Sequence, residues 1–224
     1  MFGVSFANAA GARGNGNIVT IEKNLQSFER IYAGGKLNVN YRQSHEHRAV
    51  VTIDSNLEEY LDIFTENDRL NIRTKQGRNL SPTEFTVDVY SPSLSDVSIS
   101  GSVQFRGKDK IQTRDFGLRI SGSGEVDVNI ICESFSANIS GSGLVNLTGS
   151  CNDMNISLSG SGNFNAYEFQ ANTADVRASG SSRIEVWVLE HLRAKMSGSG
   201  WLRYRGNPLV DLESSGSGYF GRGE

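Results

Sequence analysis

The chain is poor in the residues that punctuate or staple a fold. Of 224 residues, 3 are proline, 2 are cysteine, 3 are histidine and 2 are tryptophan. Two cysteines cannot build a disulfide framework, and they suit either redox compartment. Histidine is too scarce for an obvious metal centre. His45 and His47 stand two residues apart on a predicted strand, with no further ligand type at a typical spacing beside them. No metal and no cofactor are expected. Long apolar runs are also missing, so nothing matches the roughly 20 residues of a transmembrane helix. Neither sign of charge dominates: a net charge of −3 with 21% charged residues offers no basic surface for nucleic acid or an anionic membrane.

Glycine is abundant, with 25 residues, and it is concentrated in one motif. Ser-Gly-Ser-Gly stands at Ser121–Gly124, Ser140–Gly143, Ser159–Gly162, Ser197–Gly200 and Ser215–Gly218, with worn copies at Ser100–Val103 and Ser179–Ser182. The first serines, at 100, 121, 140, 159, 179, 197 and 215, are 21, 19, 19, 20, 18 and 18 residues apart. A period of that length marks one coil of a solenoid per repeat.

Alignment on the motif gives columns that alternate in chemistry, as the two faces of a strand require. One residue before it stand Ile99, Ile120, Ile139, Leu158, Ala178, Met196 and Ser214; three before it stand Val97, Leu118, Ala137, Ile156, Val176, Ala194 and Leu212. Five before it are Ser95, Phe116, Phe135, Met154, Ala174, Leu192 and Val210, and two after it Phe105, Val126, Val145, Phe164, Ile184, Leu202 and Phe220. The columns between carry residues such as Arg119, Arg177, Lys195, Glu125, Glu185 and Arg203, a solvated face. Alternation carried through the motif puts both glycines inside and both serines outside. Inward glycine implies a corner, where a Cβ has little room. Coils stacked at ~4.8 Å would carry the serines into two ladders over roughly 29 Å. Small polar residues suit a turn without any ligand.

Three regions follow. Residues 1–16 read as a disordered tail or signal-peptide remnant, because Phe2 to Ala9 is apolar and ends in an Ala7-Asn8-Ala9 cleavage-type site, although a basic start is missing. Residues 17–94 read as an irregular β cap, with strands near residues 18–21, 30–32, 36–41, 49–53, 61–65, 69–73 and 84–90. Asn56 is placed to cap a short helical turn ending at Tyr60. Residues 95–224 form the solenoid, whose raw end such a cap would cover.

Several stretches resemble a known family. Asn15-Gly-Asn17-Ile-Val, the run Phe28-Glu-Arg-Ile-Tyr-Ala-Gly34-Gly35-Lys-Leu-Asn38-Val39, Tyr90-Ser-Pro-Ser-Leu94 and the Ser-Gly-Ser-Gly copies are similar to the putative auto-transporter adhesin, head GIN domain family. Lys36-Leu37-Asn38 stands where the signature has Gly-Ile-Asn. The resemblance covers nearly all of residues 15–221. It implies an all-β, right-handed parallel β-helix-like solenoid, export to the envelope of a Gram-negative bacterium (periplasm, outer-membrane surface or secreted), and adhesion to a glycan or surface protein. It supplies no catalytic residues.

The residues give little reason to expect an enzyme. β-Helix lyases and hydrolases need clustered carboxylates, whereas Asp127, Asn146, Asn165 and Glu185 are diluted and have basic neighbours. A carbohydrate-active enzyme of β-helix type is one alternative to an adhesin, and a purely structural envelope protein is another. The run from Gly216 to Gly221 spells a dinucleotide fingerprint, but only three residues follow it, too few for the helix that such a site needs. Cys132 and Cys151 follow Gly124 and Gly143 at equal offsets, which predicts stacked, reduced thiols in consecutive coils, close enough for a bridge. At the C-terminal edge, either Tyr219–Glu224 turns across the last coil or a second chain abuts it as a homodimer.

One binding surface is legible. Five residues after the motif stand Lys108, Asn129, Thr148, Tyr167, Trp187 and Arg205, and one after it Trp201 and Tyr219, all outward if alternation persists. Tyr167, Trp187, Trp201, Arg205 and Tyr219 would then form one exposed patch, of residue types that stack on sugars and dominate interfaces. The competing expectation is a bend that tucks Tyr167 and Trp187 under a loop.

Overall fold

Alternating sequence becomes strand almost throughout the computed structural model, which describes residues 11–75 and 79–223; the signal-like stretch Phe2–Ala9 lies outside them. Ahead of the repeats run β1 (Ala12–Arg13), β2 (Ile18–Asn24), β3 (Arg30–Gly35), β4 (Asn38–Gln43), β5 (Arg48–Asp54), β6 (Leu61–Glu66), β7 (Arg69–Thr74), β8 (Leu80–Ser81) and β9 (Phe85–Ser91), with a 3₁₀ turn at Ser55–Tyr60. The repeats supply β10 (Asp96–Gly101), β11 (Gln104–Gln112), β12 (Asp115–Gly122), β13 (Glu125–Ile131), β14 (Ser134–Gly141) and β15 (Leu144–Gly160). They continue as β16 (Asn163–Gly180), β17 (Arg183–Gly198), β18 (Trp201–Arg205), β19 (Leu209–Gly216) and β20 (Tyr219–Arg222). Each motif joins two strands of one coil, and the result is a parallel β-solenoid of about seven turns.

Register follows the repeat. Ser100, Ser121, Ser140, Ser159, Ser179, Ser197 and Ser215 stand opposite one another in successive parallel pairings. The first of these is half-buried and the others are exposed, as is the second ladder from Ser102 to Ser217. The apolar residues of these inward columns are buried in every coil but the last, and Phe135 stacks on Phe116 at 6.2 Å and meets Phe169 edge-on at 5.4 Å. Burial is continuous because each coil covers its neighbour's apolar face.

The two glycines of the motif have different tasks, which corrects the expectation that both point inward. The second, as in Gly124, Gly143 and Gly162, is buried at the corner. The first is partly exposed and turns the chain: from Gly101 to Gly216 these residues have φ between +91° and +121°, a region that L-residues with a Cβ rarely adopt. They also stack so closely that a Cβ on Gly122 would stand 2.8 Å from the Gly101 carbonyl oxygen.

The parallel ladder begins before the first motif. β3 pairs with β10 and β4 with β11, placing Gly34 and Gly35 opposite Ser100 and Gly101. Gly35, at φ +110°, makes the same corner without the serines. β7 and β9 extend this coil outward in parallel, and β5 and β2 then close the end with antiparallel pairing.

Three local expectations are corrected. Residues 11–16 are not a loose tail: β1 pairs with β8, Gly16 N–H donates to the Asp54 carboxylate at 2.7 Å, and Asn15 N–H donates to Asn56 Oδ1 at 3.1 Å. Asn56 therefore ties down the N-terminal segment, and the 3₁₀ turn has Asp54 at its cap position. His45 and His47 lie in the loop between β4 and β5 and not on a strand; His47 packs edge-on against Phe28 at 5.3 Å.

Candidate binding surface

The outward face of β17, β18 and β20 is built by alternation. Arg183, Trp201 and Tyr219 are successive partners in one column, Glu185, Arg203 and Gly221 in the next, and Trp187 pairs with Arg205 in a third. Columns lie about 7 Å apart along a strand and coils ~4.8 Å apart across it, so these residues are neighbours on one wall. Trp187, Trp201 and Arg205 are half-buried, and Tyr219 is 57% exposed.

The position of Tyr167 departs from the aligned column. Pairing slips between Ala166 and Gln170, so that Gln170, not Tyr167, stands opposite Trp187. Tyr167 sits in this bulge, half-buried, while Phe169 turns into the core. The bend expected as the competing outcome thus occurs, but it buries Phe169 and leaves Tyr167 and Trp187 at the surface. Earlier coils slip as well: Asn129 pairs with Lys110, not Lys108.

Cations organise the rings. The Arg205 guanidinium lies over Trp187 at 5.1 Å and over Tyr167 at 5.6 Å, donates to the Tyr167 carbonyl at 2.8 Å, and pairs with Glu168 at 3.3 Å. Arg203 lies over Trp201 at 5.0 Å. Stacking on a guanidinium is favourable for both partners and fixes the ring orientation. The sequence reading missed Arg203, Glu168 and Glu185, although Arg203 stands two residues after Trp201 on the same face and could have been found by that spacing.

The Tyr167 hydroxyl is covered and has no hydrogen-bond partner among the described residues. Burial and the nearby Glu185 carboxylate raise its pKa against the opposing pull of Arg203 and Arg205, so it stays a neutral phenol. Gly221 and Gly223 leave the last coil without side chains where the Tyr219 and Tyr167 hydroxyls lie. The structure therefore brings Tyr167, Trp187 and Arg205 into direct contact and sets Trp201 and Tyr219 beside them, with Arg203 between.

Other candidate chemistry is sparse. Among the described residues no three His, Cys, Asp or Glu side chains are grouped to hold a metal ion, and no helix is long and apolar enough to cross a membrane. A shallow groove of about 500 Å³ follows the first serine ladder, lined by Ser159, Ser179, Ser197 and Ser215 with Arg177 and Lys195. Cys132 and Cys151 are free and buried in consecutive coils, where Cys132 N–H donates to the Ser150 carbonyl at 3.1 Å.

Solved structures share this architecture. A protein from Parabacteroides distasonis ATCC 8503 described as a putative lipid binding protein is 26% identical, with a TM-score of 0.77 over 95% of this chain and 99% of its own. A putative adhesin from Bacteroides fragilis NCTC 9343 has a TM-score of 0.86 at 21% identity, over 95% of this chain and 100% of its own. Another, from Parabacteroides merdae ATCC 43184, has a TM-score of 0.73 at 22% identity, over 96% and 99%. No curated protein matches. The profile of the family described as putative auto-transporter adhesin, head GIN domain matches residues 27–208, and the chain belongs to that family.

Proposed function

We propose that the protein is a non-catalytic adhesive module, exported to the bacterial envelope, that binds glycan or surface protein through Tyr167, Trp187, Trp201, Arg205 and Tyr219. The observation that carries this reading is that both tryptophans of the chain stand half-exposed on one wall, each under a guanidinium. Flat rings held in place lose little entropy on contact, and an arginine fork beside them adds directional hydrogen bonds to hydroxyls or carboxylates. Adhesin naming of the family and of two of the solved structures supports a surface role.

Because the protein's only two indoles belong to the patch, its intrinsic fluorescence reports binding directly. Screening on a glycan array followed by titration should give saturable quenching or a spectral shift with a bound sugar. Vesicles of neutral and anionic phospholipid are the comparison, since one solved relative is described as a lipid binding protein. A fluorescence response to vesicles and to no glycan or surface protein would overturn the assignment.

A further inference from the structure

Among the described residues, the last coil has a strand edge without a partner. β19 pairs only with β17 among the described residues, and all eight of its residues are exposed. Its opposite edge therefore presents unpaired backbone donors and acceptors, a template for another strand. The expectation that the C-terminal residues turn across this edge is corrected: Tyr219–Arg222 continue the ladder beside β18.

The side chains state what would fit. Val210 and Leu212 are each 39% exposed, whereas Leu192 and Ala194, one coil earlier in the same columns, are at 1% and 0%. An added strand must therefore bring apolar residues over those two. One outward column alternates in charge along the axis, with Arg193 between Asp175 at 4.0 Å and Asp211 at 3.5 Å; in the next, Arg177 and Lys195 stand opposite each other and Lys195 pairs with Glu213 at 2.8 Å. Asp211 and Glu213 have a base on their inner side and open solvent on the other. Basic residues in the next two outward positions would pair with these two carboxylates on their open side.

We infer that the β19 edge binds an extended segment of a partner protein that reads apolar, basic, apolar, basic, apolar, added as one further strand. Backbone pairing would supply affinity and the alternate side chains specificity, as in other strand-addition complexes. A second copy of this chain fits less well. Pairing β19 with its own copy in parallel register, or antiparallel about Leu212, sets acid against acid, which costs stability in adjacent strands.

The probe is a peptide with the sequence of residues 190–198, Glu-His-Leu-Arg-Ala-Lys-Met-Ser-Gly, whose strand already pairs with β19 on its inner side. Fluorescence anisotropy of the labelled peptide should show saturable binding to the full chain that weakens with salt. Hydrogen exchange should slow in residues 209–216. D211K combined with E213K should weaken binding at least tenfold, as should Glu in place of Arg and Lys in the peptide. If the lysine variant misfolds by circular dichroism, D211N with E213Q replaces it, with the same direction expected. No slowing of exchange, equal binding by the charge variants, or a stable dimer in light scattering that protects residues 209–216 without peptide would each overturn the inference.

Discussion

Replacing Gly141 by alanine tests why the motif contains glycine at all. Gly141 has φ +116°, and an added Cβ would stand 2.5 Å from the Gly122 carbonyl oxygen and 3.2 Å from its carbonyl carbon. That oxygen already accepts the Ser142 N–H at 2.9 Å, so it cannot move aside without loosening the ladder. An L-residue held in such a conformation costs about 1–3 kcal/mol. Forcing a methyl into a packed contact costs about 1–3 kcal/mol more. A combined cost near 4 kcal/mol, at ~2–4 °C per kcal/mol for a chain of this size, lowers the melting temperature by roughly 8–16 °C. Ser140→Ala, one residue earlier on the exposed ladder, should change stability by no more than about 0.5 kcal/mol. Thermal unfolding followed by far-UV circular dichroism compares the two. Melting of G141A within about 2 °C of the parent protein would refute the corner geometry, since one kcal/mol alone accounts for such a shift.

Other outcomes are open to measurement. The Cys151 S–H donates to the Cys132 sulfur, an interaction that raises the pKa of Cys151 and lowers that of Cys132. Alkylation mapped by mass spectrometry should accordingly be slow in the native state, at 8% and 6% exposure, and should reach Cys132 before Cys151; the reverse order would refute this hydrogen bond. Asp54 is buried, which by itself would raise its pKa, but N–H groups of Gly16, Thr83 and Glu84 bond to its carboxylate and leave the pKa lowered. Its contribution is therefore present above the unfolded carboxylate pKa of about 3.9 and is lost as pH falls through the lower folded value. Asp54→Asn should destabilise the protein at pH 7 and flatten its acid unfolding limb, and an unchanged limb would count against the tie.

Much of this architecture could be read from the chain because the repeat repeats its chemistry. From Phe116 onward the columns through Ile120, Leu118 and Phe116 fall where alternation puts them, and they end exposed at Ser214, Leu212 and Val210, where no further coil covers them among the described residues. Reading was weaker where one partner of a pattern is missing. Gly34-Gly35 makes a corner like the later ones, yet without serine it does not register as a motif. The bulge at Tyr167 was invisible to alignment because inserted residues shift a column without altering its apolar character. Phe169 is the residue that this slip moves into the core. Trp201 and Tyr219 could be placed beside each other from spacing alone, whereas the contact between Tyr167 and Arg205 depends on the bulge.

The most direct measurement is adhesion by a protein carrying Trp187→Ala together with Trp201→Ala, compared with the parent protein on the glycan or surface protein that the screen identifies. Truncating two central aromatic anchors at about 2 kcal/mol each should reduce affinity by about a thousandfold. The control is Ser179→Ala with Ser197→Ala on the serine ladder, expected to bind as the parent does. Far-UV circular dichroism should show all three proteins folded. Undiminished adhesion by the folded tryptophan variant, or equal loss in the serine variant, would contradict binding through the aromatic wall.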